Sequence, residues 1–568
     1  MGKEVPAAAE LVRPEPPGPE GPGEPETPAG GVDDSGSLAR HTAVMSGGTA
    51  LSRLTGLVRV IVTAAALGVT VSRLGDAYNT ANTTPNILYD LVLGGILSAV
   101  VVPVFVEWFQ LRGGADAWRS ASAVMTVAFV FLTVIMLVGI LLSGPIVHLY
   151  TIRASGPAIA QERELATFFL RIFMPQIVFY GLGAVATGLL NARRHFAVPM
   201  YAPILNNLTV IATMAIFWWW TRGSTPTPES LSGGQQALLA VGTTLGVVAM
   251  TIVLWPPLRR IGFRWHWIMD LRNEALRRIG RLAGWMFVYV ATNQAGLLVI
   301  IILAAGGAAG SFTAYTNAYI FFQLPYAIFA VSVFTALLPA MSSRWTAADT
   351  PGFRRHLSEG IRFTALILVP ASVGYVILAT PIVRLLLQHG LVTSGDADLI
   401  GRTLALFAIG LFPFSAFQLL LRAFYATQDT RTPALINLAA TALNTLVNVL
   451  LFRSLGVEGL ALGQTIAYTF ATLVAAGVLR RRLHGLDGRR VAVSLAKIAG
   501  AGVCTGAAAW AASAAIAAQL GTAAAGPQAA QVAGAVLAGG LAFVASSILL
   551  RIEELAMVRQ LVLSRVKR

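Results

Sequence analysis

The chain is poor in cysteine, histidine and charge, and each shortage removes a class of function. Cys504 is the one cysteine, which excludes a disulfide framework and any multi-cysteine metal site. The seven histidines are scattered, several in loops, and none has metal-ligand spacing. Charged residues make up 12% of the chain and hydrophobic ones 56%, with a mean hydropathy of +0.70. A soluble globule of 568 residues has no interior large enough for that much apolar surface. Nothing between the apolar runs exceeds about 30 residues, so no soluble catalytic domain is inserted. There is no glycine loop with its phosphate-binding lysine and no nucleophile elbow. Asp76 and Asp90 sit at opposite ends of one segment and do not form the paired carboxylates of an embedded glycosyltransferase. The expectation is a protein that is not an enzyme and carries no cofactor.

What remains is an all-α polytopic membrane protein. Fourteen apolar spans approach the length that crosses about 30 Å of hydrocarbon: 43–68, 77–108, 119–148, 164–190, 199–221, 235–256, 282–306, 311–341, 361–387, 398–425, 433–453, 457–479, 492–517 and 529–551. Residues 1–42, rich in Pro, Gly and Glu, carry no periodicity and are expected to be a disordered cytoplasmic tail. That tail lacks the basic start and cleavage site of a signal peptide. The formal charge of +15 would suit nucleic acid, but its placement follows membrane topology. With both termini cytoplasmic and charges near span ends counted to the nearer side, 31 of the 41 Lys and Arg fall on the inner side, 7 on the outer side and 3, Arg53, Arg59 and Arg171, within spans. Nucleic acid is therefore not an expected partner.

A faint internal repeat divides the spans. GGILSAVVVPVFVEW, ending span two, is similar to VSVFTALLPAMSSRW, ending span eight, with Pro103 matching Pro339. NARRHFAVPMYAPILNN after span four is similar to ATQDTRTPALINLAATALN after span ten, with Pro199 matching Pro433. Six helices per half give both halves the same orientation, a parallel repeat that can rock about a central cavity. The layout predicted is an N-lobe over 43–256, a basic cytoplasmic linker over 257–281 and a C-lobe over 282–479. Two further helices over 480–551 and a basic cytoplasmic tail over 552–568 complete it.

Two charges mark a working site. Arg53 and Arg59 lie inside the first span, where an ionisable residue costs roughly 2.5–3.5 kcal/mol and usually faces a watery cavity. Six residues apart, they are separated by about 240° around a helix, so either Gly56 permits a local distortion or the cavity is wide. Arginine binds phosphate or carboxylate bidentately, which points to a diphosphate or carboxylate substrate. Alternatively, Arg53 snorkels to the surface and Arg59 pairs with Asp76 or a backbone carbonyl. Pro85 and Asn86 break the second span, and Gly94 and Gly95 allow bending or close packing; hinge and packing roles both fit. Asn444 and Asn448, at i and i+4, share a face that Asn293 and Thr465 could complete, either as a cation site or as interhelical amide hydrogen bonds.

SRLTGLVR, DAYN through TPN, VVPVF, LLNARRHFAVPMYAPILNN and LLRAFYATQDTRTP, in that order, resemble the MurJ/MviN family of lipid II flippases. That family belongs to the multidrug/oligosaccharidyl-lipid/polysaccharide exporter superfamily, and the resemblance runs from about residue 43 to 551. It implies fourteen helices in two lobes plus two, a central cationic cavity, and alternating access that carries undecaprenyl-linked peptidoglycan precursor to the outer leaflet of the bacterial inner membrane. It further implies a groove for the polyprenyl tail at spans thirteen and fourteen, and cavity roles for Arg53, Arg59 and Asp76. Arg402 and Arg422 match positions that are basic in many relatives and are secondary candidates. Tyr89 and Ile320 stand where members often carry arginine. The implied partners are membrane lipids, lipid II or a related polyprenyl diphosphate glycan, and cell-wall synthesis proteins; the implied driving force is Na+, H+ or the membrane potential. An exporter of another lipid-linked glycan and a non-transporting cell-wall scaffold are the alternatives.

Overall fold

A backbone surrounded by lipid must satisfy its polar groups internally, and among the described residues every regular element is helical. The computed structural model describes residues 34–93, 102–111, 114–270, 274–522 and 524–555. In the first lobe these form α1 (Asp34–Leu67), α2 (Leu74–Leu93), α3 (Val102–Leu111), α4 (Gly114–Leu141), α5 (Ser143–Tyr150), α6 (Pro157–Phe173), α7 (Gln176–Ala192), α8 (Ala197–Trp220), α9 (Gly233–Ile252) and α10 (Trp255–Arg260). The second lobe holds α11 (Glu274–Ala305), α12 (Ser311–Pro325), a π turn (Tyr326–Ala330), α13 (Val331–Thr346), α14 (Thr350–Leu387), α15 (Ser394–Ile409), α16 (Leu411–Ala426), α17 (Arg431–Leu455) and α18 (Val457–Arg482). The appended pair is α19 (Gly488–Leu520) and α20 (Ala525–Leu549).

Twelve helical stretches among the described residues are long and apolar enough to cross a membrane. A thirteenth is the pair α15–α16, bent by 47°. The remaining expected span, 77–108, is seen as α2 and α3 on either side of residues 94–101, so Gly94 and Gly95 lie outside the described residues. Several spans are broken where the chemistry requires it. Pro175, with no N–H to donate, separates α6 from α7, and Pro325 precedes the π turn that ends α12. At Gly410, the bend of α15–α16, a Cβ would lie 2.6 Å from the Thr465 hydroxyl, so the close approach of α18 requires glycine there. Residues 34–42, expected in the tail, are instead the first turns of α1; no proline follows Pro28 until Pro85 to interrupt them.

The repeat reappears in the helices. Pro199 and Pro433 each occupy the third position of a helix, α8 and α17, where a missing N–H costs no intrahelical bond. Apolar cores form within each lobe. Tyr78, Phe169, Phe173 and Phe217 pack in the first; Phe322, Phe407, Phe417 and Phe424 pack in the second. Outward faces are apolar instead of charged, with Leu549 at 82% and Val503 at 71% exposure, as lipid contact demands. Thr83, Thr84, Thr126 and Thr505 each donate a hydroxyl to the carbonyl four residues earlier, which hides a polar side chain within its own helix.

Candidate functional site

Two adjoining chambers lie between the lobes. The smaller, about 200 Å³, is walled by α1, α2 and α7–α9 of the first lobe and α12 of the second. Arg59 reaches it, among Asn79, Asn82, Asn86, Asn206 and Asn317. The larger, about 540 Å³, lies mainly in the second lobe and is lined by Tyr289, Tyr315, Tyr319 and Tyr468 with Gln and Asn amides. Thr83 and Thr316 border both chambers. Asp90 brings a carboxylate to the larger one and accepts a hydrogen bond from the Gln294 amide at 3.1 Å.

Of the two arginines in the first span, Arg59 lines the smaller chamber and Arg53 lines neither. The helix runs unbroken through Gly56, where a Cβ would meet the Asn207 amide at an ordinary 3.6 Å, so no local distortion brings the two arginines to one face. Six residues place Arg53 about 9 Å along the axis from Arg59, toward the N-terminal end of α1, where it is exposed. Arg422, from α16 across the lobe boundary, is exposed too. Among the described residues neither Arg53 nor Arg59 has an ion-pair partner; in particular Arg59 is not neutralised by Asp76.

Asp76 is buried outside both chambers and both of its oxygens are taken. One accepts from the Gly310 amide at 2.7 Å; the other accepts from the Thr313 amide and hydroxyl at 2.9 and 2.8 Å. Asp76 therefore caps the N-terminus of α12 from the opposite lobe, where the helix dipole favours a carboxylate. Other bonds join the lobes at the same end. Asn79 donates to the Thr313 hydroxyl at 3.1 Å, Arg73 to the Gly307 carbonyl at 3.2 Å, and the Leu391 amide to the Ala65 carbonyl at 2.9 Å. Asp396 accepts from the Thr70 amide at 3.1 Å and from its hydroxyl. Gly310 sits at φ +80° with a Cβ position 2.4 Å from the Val69 carbonyl oxygen, so the seam closes on a residue that only glycine fits. The cavity is thus sealed at the 68–76 end.

The other candidates divide. Pro85 lies inside an uninterrupted α2; Asn86 faces the smaller chamber and donates to the Asn82 carbonyl at 2.9 Å. Arg402 lines neither chamber and pairs with Glu458 at 2.6 Å on an exposed surface. Asn293 and Asn444 face the larger chamber, but Asn448 and Thr465 do not. The Asn293 oxygen accepts from Asn437, Asn448 donates to the Asn444 oxygen, and Thr465 donates to the Leu406 carbonyl. The four do not converge on a common point through their hydrogen bonds. Tyr89 packs against Tyr180 at 5.5 Å between ring centres, and Ile320 lines the smaller chamber.

Much of the lining escaped the reading of the sequence although a signal was present. Asn79, Thr83, Asn86 and Asp90 recur at i, i+4, i+7 and i+11, a polar stripe down α2. Tyr315, Tyr319, Gln323 and Tyr326 make a second stripe at i, i+4, i+8 and i+11. In a bilayer such a stripe must face protein or water.

A two-lobed, all-helical membrane bundle with an unpaired cation in an amide-lined cavity between its lobes defines a membrane transporter. The family described as Lipid II flippase MurJ matches residues 63–546, and the chain belongs to it. It is 28% identical over 498 residues to the probable lipid II flippase MurJ of Vibrio cholerae serotype O1, covering 84% of this chain and 90% of that one. The lipid II flippase MurJ of Burkholderia cenocepacia is 29% identical over 452 residues, covering 78% and 84%. Among solved structures, a lipid II flippase MurJ in an inward closed conformation superimposes with a TM-score of 0.72 at 22% identity, over 90% of this chain and 99% of that one. An inward-facing multidrug resistance MATE family transporter of the MOP superfamily does so at 0.61 and 14%, over 77% and 96%. At those identities the structural matches speak to fold alone.

Proposed function

We propose that the protein is a lipid II flippase that admits the diphosphate headgroup of an undecaprenyl-linked precursor between its lobes and releases it at the opposite leaflet. The observation that carries this reading is Arg59, a guanidinium with no carboxylate partner among the described residues, set among neutral amides in a cavity sealed at one end. Such a cation is compensated only when an anion arrives, and it can meet diphosphate oxygens bidentately. Arg53 and Arg422, exposed from opposite lobes at the other end, form the electropositive entrance. Asp76 belongs to the outer gate, with both termini on the cytoplasmic face. Asn and Gln amides with the tyrosines of the larger chamber suit a saccharide, which needs neutral hydrogen-bond partners and stacking faces. A membrane potential, negative inside, favours outward movement of a bound anion by about 2.3 kcal/mol per charge per 100 mV. A coupling cation, Na+ or H+, is the alternative drive.

The test is complementation of a flippase-depleted strain by Arg59→Ala, alongside lipid II binding by the purified protein. Growth and binding should both be lost at normal membrane levels; full growth would overturn the assignment. Ile320 in the chamber and Tyr89 packed on Tyr180, where arginine is common in the family, favour one second reading, an exporter of a different lipid-linked glycan. Binding of polyprenyl diphosphate carrying another saccharide in preference to lipid II would establish it.

A further inference from the structure

A third crevice, of about 670 Å³, lies at the base of α19 and shares no residue with the two chambers. Arg362 of α14, Arg489, Arg490 and Lys497 of α19 line it, together with Asp487, Glu553 and Glu554. Cations exceed acids there, four to three. Arg362 is only 2% exposed, a costly place for a guanidinium unless every donor is matched. One of its terminal nitrogens donates to Glu554 and lies 3.6 Å from Glu553, yet its Nε has no partner among the described residues. The Ser494 hydroxyl, on the same wall and also buried, is likewise unpartnered among the described residues. Asp487, at the N-cap of α19, holds a left-handed φ of 50° and makes no side-chain cap bond, so the first-turn amides are left for another acceptor.

Unpaired buried donors, surplus cations and an uncapped helix start converge on one kind of ligand, a group with several anionic oxygens. We propose that this crevice binds a phosphate group, supplied by the headgroup of an anionic phospholipid. The surroundings select the lipid source. Val493 lines the crevice at 50% exposure, and Leu549, four residues before Glu553, is 82% exposed, so acyl chains find an apolar path beside the polar mouth. Free phosphate would use the cations and leave those side chains uncovered. The proposal does not rest on the transport reading.

The test uses the full-length protein in phosphatidylcholine nanodiscs and titrates phosphatidylglycerol, with binding read by native mass spectrometry. Arg489→Ala with Lys497→Ala removes two cations outside the buried Arg362–Glu554 pair, so folding should survive, which a melting curve verifies. The double variant should weaken phosphatidylglycerol retention about tenfold or more, since each juxtamembrane cation adds to anionic-lipid affinity. Arg59→Ala should leave retention unchanged, which separates this site from the central cavity. Equal retention of phosphatidylglycerol by the wild type and a folded double variant would overturn the site. Competition by millimolar inorganic phosphate, with no preference for the lipid, would overturn the lipid source.

Discussion

Removing Asp76 should loosen the sealed end of the cavity while leaving each lobe intact, because all three hydrogen bonds it accepts come from the other lobe. Bonds to a charged acceptor are worth about 1.5–3 kcal/mol each, so three give roughly 5–9 kcal/mol in gross terms. Against this stands the cost of burying the carboxylate, several kcal/mol even after relaxation, which Asp76→Ala relieves. The net preference for the sealed state should fall by about 2–4 kcal/mol, a factor of roughly 30 to 1,000 in the ratio of sealed to open. Val69 is fully buried in the seam, so Val69→Cys in a Cys504→Ser background reports opening through its rate of maleimide modification. When opening is fast and reversible, that rate follows the open population. Asp76→Ala should accelerate modification by the factor above, and Asp76→Asn, which keeps an acceptor but not the charge, by less. An unchanged rate in a folded Asp76→Ala protein would refute the assignment of Asp76 to the seam.

The remaining predictions test separate parts of the structure. Gly310→Ala forces a left-handed backbone on alanine, costing about 1–2 kcal/mol, and adds a Cβ 2.4 Å from the Val69 carbonyl oxygen; thermal unfolding should begin lower, and the Val69→Cys probe should react faster. Arg402→Ala breaks an exposed pair with Glu458, worth about 0–1 kcal/mol, so complementation and melting should stay near wild type; a growth defect would give Arg402 a role in transport. Asp349 caps α14 from a loop, and its hydrogen bond from the Gly352 amide, helped by Arg344, holds its carboxyl below the usual aspartate range. Its contribution is therefore present above that range and lost as pH falls through the lowered value. Amide protection in the first turn of α14, taken relative to the intrinsic exchange rate at each pH, should fall on acidification in the wild type and lose that dependence in Asp349→Ala.

Helix content, the repeat and the position of most spans were legible because a bilayer enforces one rule, twenty or so apolar residues per crossing, and composition alone displays it. The breaks were less legible. Pro175 and Pro325 were visible as residues, but whether a proline ends a helix, bends it or sits harmlessly inside, as Pro85 does in α2, depends on what its freed carbonyl meets. At Pro85 the freed carbonyl is that of Ala81, and the Thr83, Thr84 and Asn86 side chains fold back onto the neighbouring carbonyls of Asn79, Thr80 and Asn82. The bend at Gly410 depends on Thr465, fifty-five positions away, and no local pattern announces it.

The charged members of the site stood out in the sequence because isolated charges in apolar spans are rare, yet rarity did not reveal their roles. Arg59 and Asp76 look alike as anomalies. One is an unpaired cation in a chamber, and the other is consumed by α12 of the opposite lobe. The difference lies in long-range pairing, since Asp76 and Gly310 are 234 positions apart. Neutral polar residues were harder to weigh one at a time, because a single asparagine in a membrane helix usually bonds to a neighbouring helix. The stripe from Asn79 to Asp90 is different, since four polar residues on one face exceed what packing against a single neighbour can satisfy. That stripe also has a physical consequence for the proposed cycle. Amides around Arg59 can solvate a diphosphate without competing for the guanidinium, whereas a carboxylate beside it would hold the cation in an ion pair that each arriving substrate must break. With Ile320 and Tyr89 contributing no further charge, a headgroup in the proposed cycle would meet few cations and many neutral donors, a balance suited to binding in one conformation and release in the other.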